Sequence, residues 1–408
     1  MEGNCVDANS IPGDPATFSY SGNDFVFEVN VKSLKDFPDA EQSEFDALLE
    51  AKWREAMNQC LFRFAYNPGM PQRRLSGKFG FFLEVNGERH STRRPPPAFA
   101  STRHPVDPSR FHFGRAPVAE RLFRLSAPED QQDGPNGQQN RPTDQQNGPA
   151  DRENVPVDQQ NGPADHCAPA DGGDDWVMIN VSPIGRSHVL LLPRLLQLRP
   201  QRLEPRGLQM MLHCLLLSRD SGLRGMFNSL GALASVNHYH LHLYRLPQTL
   251  YVETADVRKV VDELYEFTDY PARAFVFEVN STNLSSVASR VVALTELILD
   301  RGLAFNLVAT RGHPCSSRPI RPDLYTALRV MVWPRQPEFP QLPREHFQLA
   351  SCEMMGHIAV TSAEALDVLT ESSIVESLRS VTEAAFDRVR SQVVAEALPK
   401  TSAESTGS

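Results

Sequence analysis

Three imidazoles fall on alternate positions in the run Ser235-Val236-Asn237-His238-Tyr239-His240-Leu241-His242-Leu243-Tyr244, and the residues between them are aromatic or aliphatic. In an extended chain successive side chains point to opposite faces, so His238, His240 and His242 share one face while Tyr239, Leu241 and Leu243 share the other. One face packs and the other is available for chemistry. The residue types admit metal ligation, a buried polar cluster, or a nucleophile with its supports. A catalytic zinc site takes three protein ligands and leaves a position open. Second-neighbour residues on a flat strand stand ~7 Å apart at Cα, however, which works against all three meeting one ion. A polar cluster satisfied by local hydrogen bonds accounts for one histidine more readily than for three in register. A neutral imidazole near pH 7 is a competent nucleophile, which is the third possibility.

The elements that must position this run are readable from periodicity. Apolar residues recur at helical spacing over Glu44 to Phe64, Leu208 to Leu217, Val257 to Phe267, Leu284 to Leu299 and Ala363 to Leu378. Strands are predicted at Phe79 to Val85, Trp176 to Val181, His188 to Leu192, Val236 to Leu246, Ala274 to Val279, Phe305 to Ala309 and Leu328 to Trp333. Strands come in pairs with helices between the pairs, and Ser182-Pro183-Ile184-Gly185 reads as a turn joining two of them. The expectation is an α+β fold on an antiparallel sheet with flanking helices.

One stretch does not belong to that fold. Asp-Gln-Gln-Asp-Gly-Pro at Asp130 recurs as Asp-Gln-Gln-Asn-Gly-Pro at Asp144 and Asp158, a 14-residue period rich in Gln, Asn, Gly and Pro. Without aliphatic anchors it cannot offset its ordering entropy, so residues 127–175 are expected to be a disordered polar insertion. Apolar segments flank it on both sides, which favours a loop out of one domain, 18–395, over a linker between two. Residues 1–17 and 396–408 are expected to be loose ends.

Composition sets the outer bounds. With 408 residues, 40% hydrophobic and 22% charged, the chain can bury a sizeable core. A net charge of -9 supplies no basic footprint for nucleic acid. Cysteines at 5, 60, 167, 214, 315 and 352 are scattered without a C-x-x-C pair, which argues against a disulfide framework or a zinc ribbon. No apolar run approaches the ~18 residues of a membrane span, and the N-terminus lacks a signal-peptide pattern. The expected compartment is the cytoplasm.

Ser-Val-Asn-His-Tyr-His-Leu-His at 235–242 closely resembles the S-V-x-H-x-H-x-H signature of the histidine triad superfamily, with Asn228 where its members carry an asparagine about a dozen residues before the nucleophile. The likeness extends over most of the chain outside the insertion. M-N-Q-C-L-F-R-F-A-Y-N-P-G at 57–69, L-S-G-K-F-G-F at 75–81, N-G-E-R-H at 86–90, R-R-P-P at 93–96, V-D-P-S-R-F-H-F at 106–113 and I-N-V-S-P at 179–183 resemble blocks of the GDP-hexose phosphorylases. So do H-V-L-L-L-P at 188–193 and F-N-S-L-G-A-L-A-S-V-N-H-Y-H-L-H at 227–242. Plant members, which act on GDP-L-galactose, tend to carry Gln at the third triad position; His242 agrees with the animal branch, which acts on GDP-D-glucose. The repeat insertion departs from the family pattern, and two substitutions do as well. Ala234 replaces the usual Gln before the motif serine, and Gly185-Arg186-Ser187-His188 stands where the family has E-W-G-H or E-Y-G-H.

The resemblance implies a HIT-like fold, with two pseudo-repeated halves supplied by one chain; the oligomer is left open. It implies GDP-D-glucose and inorganic phosphate as substrates, with no metal and no cofactor. His240 would displace glucose 1-phosphate to leave a guanylyl-histidine, which phosphate would convert to GDP. His238 would orient His240, a main-chain carbonyl at the first histidine accepting its ring proton. Ser235 and His242 would donate to the phosphoryl oxygens, and Asn228 would serve the ribose or phosphate side. His188, before an apolar strand, is either a substrate contact or a turn-end hydrogen bond. Lys78, between Gly77 and Gly80, offers a phosphate charge or sits in a simple turn; the loop falls short of a Walker A pattern. Arg93-Arg94 reads as a solvated loop, Cys214 as core, and His357 has no assignable role. The competing readings are a nucleoside-diphosphate-sugar hydrolase, or a non-catalytic guanine-nucleotide-binding protein on the same scaffold.

Overall fold

A computed structural model of the chain describes residues 16–31, 42–92, 99–127, 174–261, 263–342 and 344–397. Both termini and most of the polar insertion fall outside the described residues, as do Arg93 and Arg94. The first elements are β1 (Thr17–Ser19), β2 (Val29–Asn30), α1 (Glu44–Asn58), β3 (Gln72–Arg74), β4 (Phe82–Val85) and α2 (Gly87–Thr92). Next come β5 (Arg121–Ser126), β6 (Asp175–Ile179), β7 (Arg186–Leu192), α3 (Pro205–Leu217), β8 (Leu223–Asn228) and β9 (Leu241–Arg245). A second set follows as α4 (Tyr251–Thr254), β10 (Val257–Val261), β11 (Leu264–Phe267), β12 (Phe275–Val279), α5 (Leu284–Asp300), β13 (Ala304–Gly312), β14 (Leu324–Tyr325) and β15 (Ala327–Arg335). The chain closes with α6 (Ser351–Met354), β16 (His357–Val360), α7 (Ala363–Val368) and α8 (Glu371–Ala397).

Eleven strands form one sheet in the order β1-β5-β6-β7-β9-β8-β13-β15-β12-β11-β10. Only the edge pair β1·β5 is parallel. Read from each edge toward the middle, β5-β6-β7-β9-β8 and β10-β11-β12-β15-β13 follow the same course, and each half inserts its long helix, α3 or α5, after its third strand. The halves join through β8·β13, where Asn228 lies opposite Asn306 and Met226 opposite Val308. This is the two-halved α+β sheet that the resemblance implied. Leu125 pairs with Asp175, so the polar insertion connects two adjacent strands.

Both faces of the sheet are covered. Leu191, Leu241, Leu243, Leu307 and Val332 pack under α3 and α5, while Met226, Tyr244, Val308, Met331 and Trp333 pack under α6, α7 and β16. On this second face β15 carries Met331 and Trp333, both fully buried, where its counterpart β9 carries His242. The histidine chemistry therefore belongs to the first half.

Five elements differ from the periodicity reading, and of the strand expected over Phe79 to Val85 only Phe82 to Val85 is regular. Val257 to Phe267 is the hairpin β10·β11, with Val257 opposite Phe267 and Glu263 at φ 56° in the turn. Its apolar spacing fits either period, and the β-branched and aromatic residues are held extended by pairing with β12. Helix α1 stops at Asn58, with Cys60 at φ 56° just beyond. The helix expected over Ala363 to Leu378 breaks before Thr370, whose Oγ1 accepts the Ser373 amide at 3.2 Å and starts α8. The strand expected over Val236 to Leu246 is regular only from Leu241.

The alternation in the triad run survives nonetheless. Tyr239, Leu241 and Leu243 enter the core under α3, and Tyr239 Oη accepts the Glu204 amide at 3.1 Å and donates to the Glu204 carbonyl at 3.2 Å. Pro205 at the first turn of α3 pre-sets this corner. Gly207 sits against the Tyr239 ring so closely that a Cβ there would overlap the ring's Oη and Cζ. Gly207→Ala is expected to destabilise the chain by about 1–3 kcal/mol in denaturant melts. An unchanged midpoint would mean that α3 does not seat the triad.

Candidate active site

Residues 236–240 carry no ladder bonds of their own sheet, so other groups must fix them. The Tyr239 amide donates to the Arg199 carbonyl at 2.9 Å. Gln201 then stands in for a neighbouring strand: its Oε1 accepts the His240 amide at 2.9 Å and its Nε2 donates to the His240 carbonyl at 3.0 Å and the Asn228 carbonyl at 3.1 Å. The Gln201 amide bonds Asn237 Oδ1 at 2.9 Å, and Asn237 Nδ2 reaches the His104 and Pro105 carbonyls at 2.9 Å each. The backbone of His240 is thereby clamped on both sides.

With the backbone fixed, the ring protons can be placed. His240 Nδ1 lies 2.7 Å from the His238 carbonyl and must donate to it, which leaves the lone pair on Nε2. His238 Nδ1 accepts the Phe113 amide at 3.0 Å, so its proton is on Nε2, toward the Gln197 carbonyl at 3.2 Å. Similarly the Ile184 amide donates to His188 Nδ1 at 2.8 Å, which puts the His188 proton on Nε2. That nitrogen faces His242 Nδ1 at 3.2 Å, so His242 carries its proton on Nε2. Main-chain groups thus set the tautomers of His238, His240 and His188 directly, and that of His242 through the His188 ring. Burial, only partly countered by the bond to the His238 carbonyl, pushes His240 down to about 4. Burial likewise takes His238 to about 4 and holds His242 and His188 well below the ordinary imidazole range. All four are neutral at pH 7, the state a nucleophilic imidazole requires.

His240 and His242 line a cavity of about 350 Å³, within the range of small-molecule sites. Their ring centroids are 5.0 Å apart, and Phe113 lies 4.9 Å from His240. Asn228 and Ser235 also line it. Asn228 Oδ1 is fully engaged, accepting Asn306 Nδ2 at 2.7 Å, the Ser351 amide at 3.0 Å and Ser351 Oγ at 2.7 Å. What Asn228 has left to offer the cavity is its amide NH2. Arg335 Nη1 in turn donates to Asn306 Oδ1 at 3.2 Å, so this orientation is anchored from the second half of the sheet.

Three of the residues singled out by sequence do not line the cavity, and one is His238, whose ring is held by the Phe113 amide and the Gln197 carbonyl. Lys78 is outside the cavity and pairs with Asp269 at 2.7 Å. The amides of Lys78, Phe79 and Gly80 point to the Glu371 carboxylate at 2.9, 3.0 and 3.3 Å, so the chain itself supplies the anion that this glycine loop holds. His188, fully buried, lies behind His242 and does not line the cavity. The departure at Gly185 to Ser187 also faces away from it. Arg186 Nε and Nη2 grip Glu50 of α1 at 3.1 and 2.6 Å, and Ser187 Oγ bonds Glu50 at 2.9 Å. Burial raises the Glu50 carboxyl, but the Arg186 bonds and charge outweigh it and hold it at about 2. Ser187 keeps φ 53°, the left-handed value that suits the family's glycine there. Sequence reasoning missed Gln201, Asn306, Ser351 and Arg89, of which only Arg89 stood in a quoted block.

A buried neutral imidazole, with one nitrogen tied to a main-chain carbonyl beside a cavity, is the arrangement a histidine nucleophile of the triad type needs. The chain belongs to the GDPGP1-like family: its N-terminal domain model matches residues 44–148 and 155–244, and its C-terminal domain model matches 249–400. GDP-D-glucose phosphorylase 1 of Danio rerio is 31% identical over 364 residues, 89% of this chain and 92% of that protein. The Homo sapiens protein of the same name is 35% identical over 343 residues, 83% of this chain and 80% of its own length. Among solved structures, yeast Ap4A phosphorylase Apa2 with bound Ap4A shares the fold, with a TM-score of 0.53 at 14% identity over 83% of this chain and 97% of that one.

The proton placement is directly measurable. Nitrogen NMR of the labelled chain should show His240 protonated on Nδ1 and His238 and His242 on Nε2, with none of the three titrating between about pH 5 and 8. A triad ring that titrates near 6.5, or a His240 proton on Nε2, would contradict the arrangement.

Proposed function

We propose that this chain phosphorolyses GDP-D-glucose to GDP and glucose 1-phosphate through a covalent guanylyl-histidine on His240. The observation that carries the reading is the His240 Nδ1–H bond to the His238 carbonyl, which directs the Nε2 lone pair to phosphorus. The family assignment, with relatives named for this activity, supports it.

In the first step Nε2 attacks the α-phosphorus and the bond to the bridging oxygen breaks, so glucose 1-phosphate leaves with the electron pair. Positive charge builds on the imidazole and is shared with the His238 carbonyl. Negative charge builds on the non-bridging oxygens, for which the Nε2–H of His242, the Asn228 NH2 and the Ser235 hydroxyl are donors on residues of the cavity wall. His188 acts through His242 by fixing its tautomer and is a positioning residue. His238 contributes its carbonyl, and its own ring is spent on the backbone. In the second step inorganic phosphate attacks the guanylyl group and His240 leaves as neutral imidazole. Two easier displacements replace one, and each group is already in its reactive protonation state.

Protein incubated with GDP-D-glucose and no phosphate should gain the mass of one GMP, located to His240, and lose it on addition of phosphate. His240→Asn should form no adduct and lose turnover by at least about 10⁴-fold, as removal of a nucleophile does elsewhere. Turnover without a detectable adduct, or an active His240→Asn, would refute the covalent route. GDP-D-glucose cleavage to GMP in place of GDP would identify a hydrolase.

A further inference from the structure

The reading above requires that phosphate reach the guanylyl-histidine ahead of water, yet the triad offers no group that distinguishes the two. Phosphate is small and doubly charged, so its selection needs a cation and polar partners on the same wall. One corner of the cavity has them. Helix α2 lies over the Ser182 to Ile184 turn that joins β6 to β7: Asn86, just before α2, sends Nδ2 to the Pro183 and Ile184 carbonyls at 3.3 and 3.2 Å, and Arg89 Nη1 donates to the Ser182 carbonyl. Asn86, Arg89 and Ser182 all line the cavity with His240 and His242.

Two polar atoms in this corner have no hydrogen-bond partner among the described residues: Ser182 Oγ and Asn86 Oδ1, on side chains 5% and 4% exposed. A buried polar atom left unpaired costs about 1–3 kcal/mol. Both atoms are covered as the side chains stand, so an occupant reaches them by small side-chain shifts; an orphan donor and an orphan acceptor beside a guanidinium call for one that accepts, donates and carries negative charge. The corner is on the His242 side of the triad: the Arg89 charge, after burial, is among the forces that hold His242 and His188 neutral. Arg63, another cation on the wall, is exposed and directs Nη1 to the Thr92 carbonyl at 2.8 Å.

We propose that Arg89, Ser182 and Asn86 form the subsite for inorganic phosphate, which is also the place the phosphate of glucose 1-phosphate vacates. The assignment rests on the double-displacement reading, in which leaving group and attacking group approach the same phosphorus along the same line. The Arg89 guanidinium supplies the positive charge that a phosphate dianion requires at this corner. Ser182 Oγ donates to the dianion, and Asn86 Oδ1 accepts the hydrogen of its remaining P–OH. This turns an unprotonated oxygen toward the guanylyl phosphorus. A P–O bond then forms, the P–Nε2 bond breaks with its electron pair returning to His240, and the P–OH proton stays on what becomes the terminal phosphate of GDP. No other reactant is needed. Sulfate at neutral pH has no proton for Asn86 Oδ1, so the subsite also distinguishes it from phosphate.

The test separates the half-reactions in the full chain. Arg89→Gln is expected to raise KM for inorganic phosphate on the order of ten- to a hundredfold. Incubated with GDP-D-glucose alone, it should still guanylylate, more slowly but to the same stoichiometry. Ser182→Ala should raise KM for phosphate by a few-fold, and Arg89→Lys should fall between wild type and Arg89→Gln. Glucose 1-phosphate should weaken as a product inhibitor in step with phosphate. An unchanged KM for phosphate in Arg89→Gln and Arg89→Lys, with adduct formation intact, would overturn the subsite. So would a change confined to sugar preference. Failure of the wild-type chain to form any adduct would instead count against the double displacement itself.

Discussion

The hydrogen bond from His240 Nδ1 to the His238 carbonyl, 2.7 Å long, is the constraint on which the rest of the site depends. It decides which ring nitrogen keeps the lone pair, and it exists only if the main chain two residues back holds its carbonyl at the right angle. A regular strand would lend those groups to a neighbour. Here the sheet ladder begins one residue after His240, and the Gln201 side chain takes the place of the missing strand. The nucleophile is thus oriented by backbone, and the backbone is held by an amide side chain, α3 and the packed ring of Tyr239.

Charge is managed by burial. The imidazoles are pressed toward neutrality by desolvation, and their protons are assigned by main-chain amides and carbonyls, for His242 by way of the His188 ring. No carboxylate is needed to hold the tautomers. Close to the family departure, the Glu50 carboxylate is consumed by Arg186 and Ser187 and braces α1 against β7. The second half of the sheet carries Met331 and Trp333 where the first carries His242, yet it has a structural part in the site, since Asn306 and Arg335 fix the amide of Asn228 across the junction.

Much of this was legible from sequence because it rests on local periodicity. The alternation of imidazole with Tyr239, Leu241 and Leu243 announced a two-faced segment, and Trp176 to Leu192 announced a hairpin. The segment 257–267 was misread because its apolar residues satisfy both periods and only pairing with β12 decides between them. Gln201 was invisible: its role depends on a loop folding back 39 residues before the residue it clamps. Lys78 was read by charge and glycine content alone, and nothing local shows that Glu371, 293 residues away, fills its loop. Contacts of that span leave no spacing to read.

On the proposed double displacement, phosphorus is handed from one oxygen to another by way of His240 Nε2, in two in-line steps. The stereochemistry of that transfer tests it most directly. GDP-D-glucose made chiral with sulfur at the α-phosphorus, turned over with inorganic phosphate, should yield α-thio GDP of retained configuration, since two inversions cancel. Inverted product would show a single direct displacement by phosphate and would contradict the guanylyl-histidine.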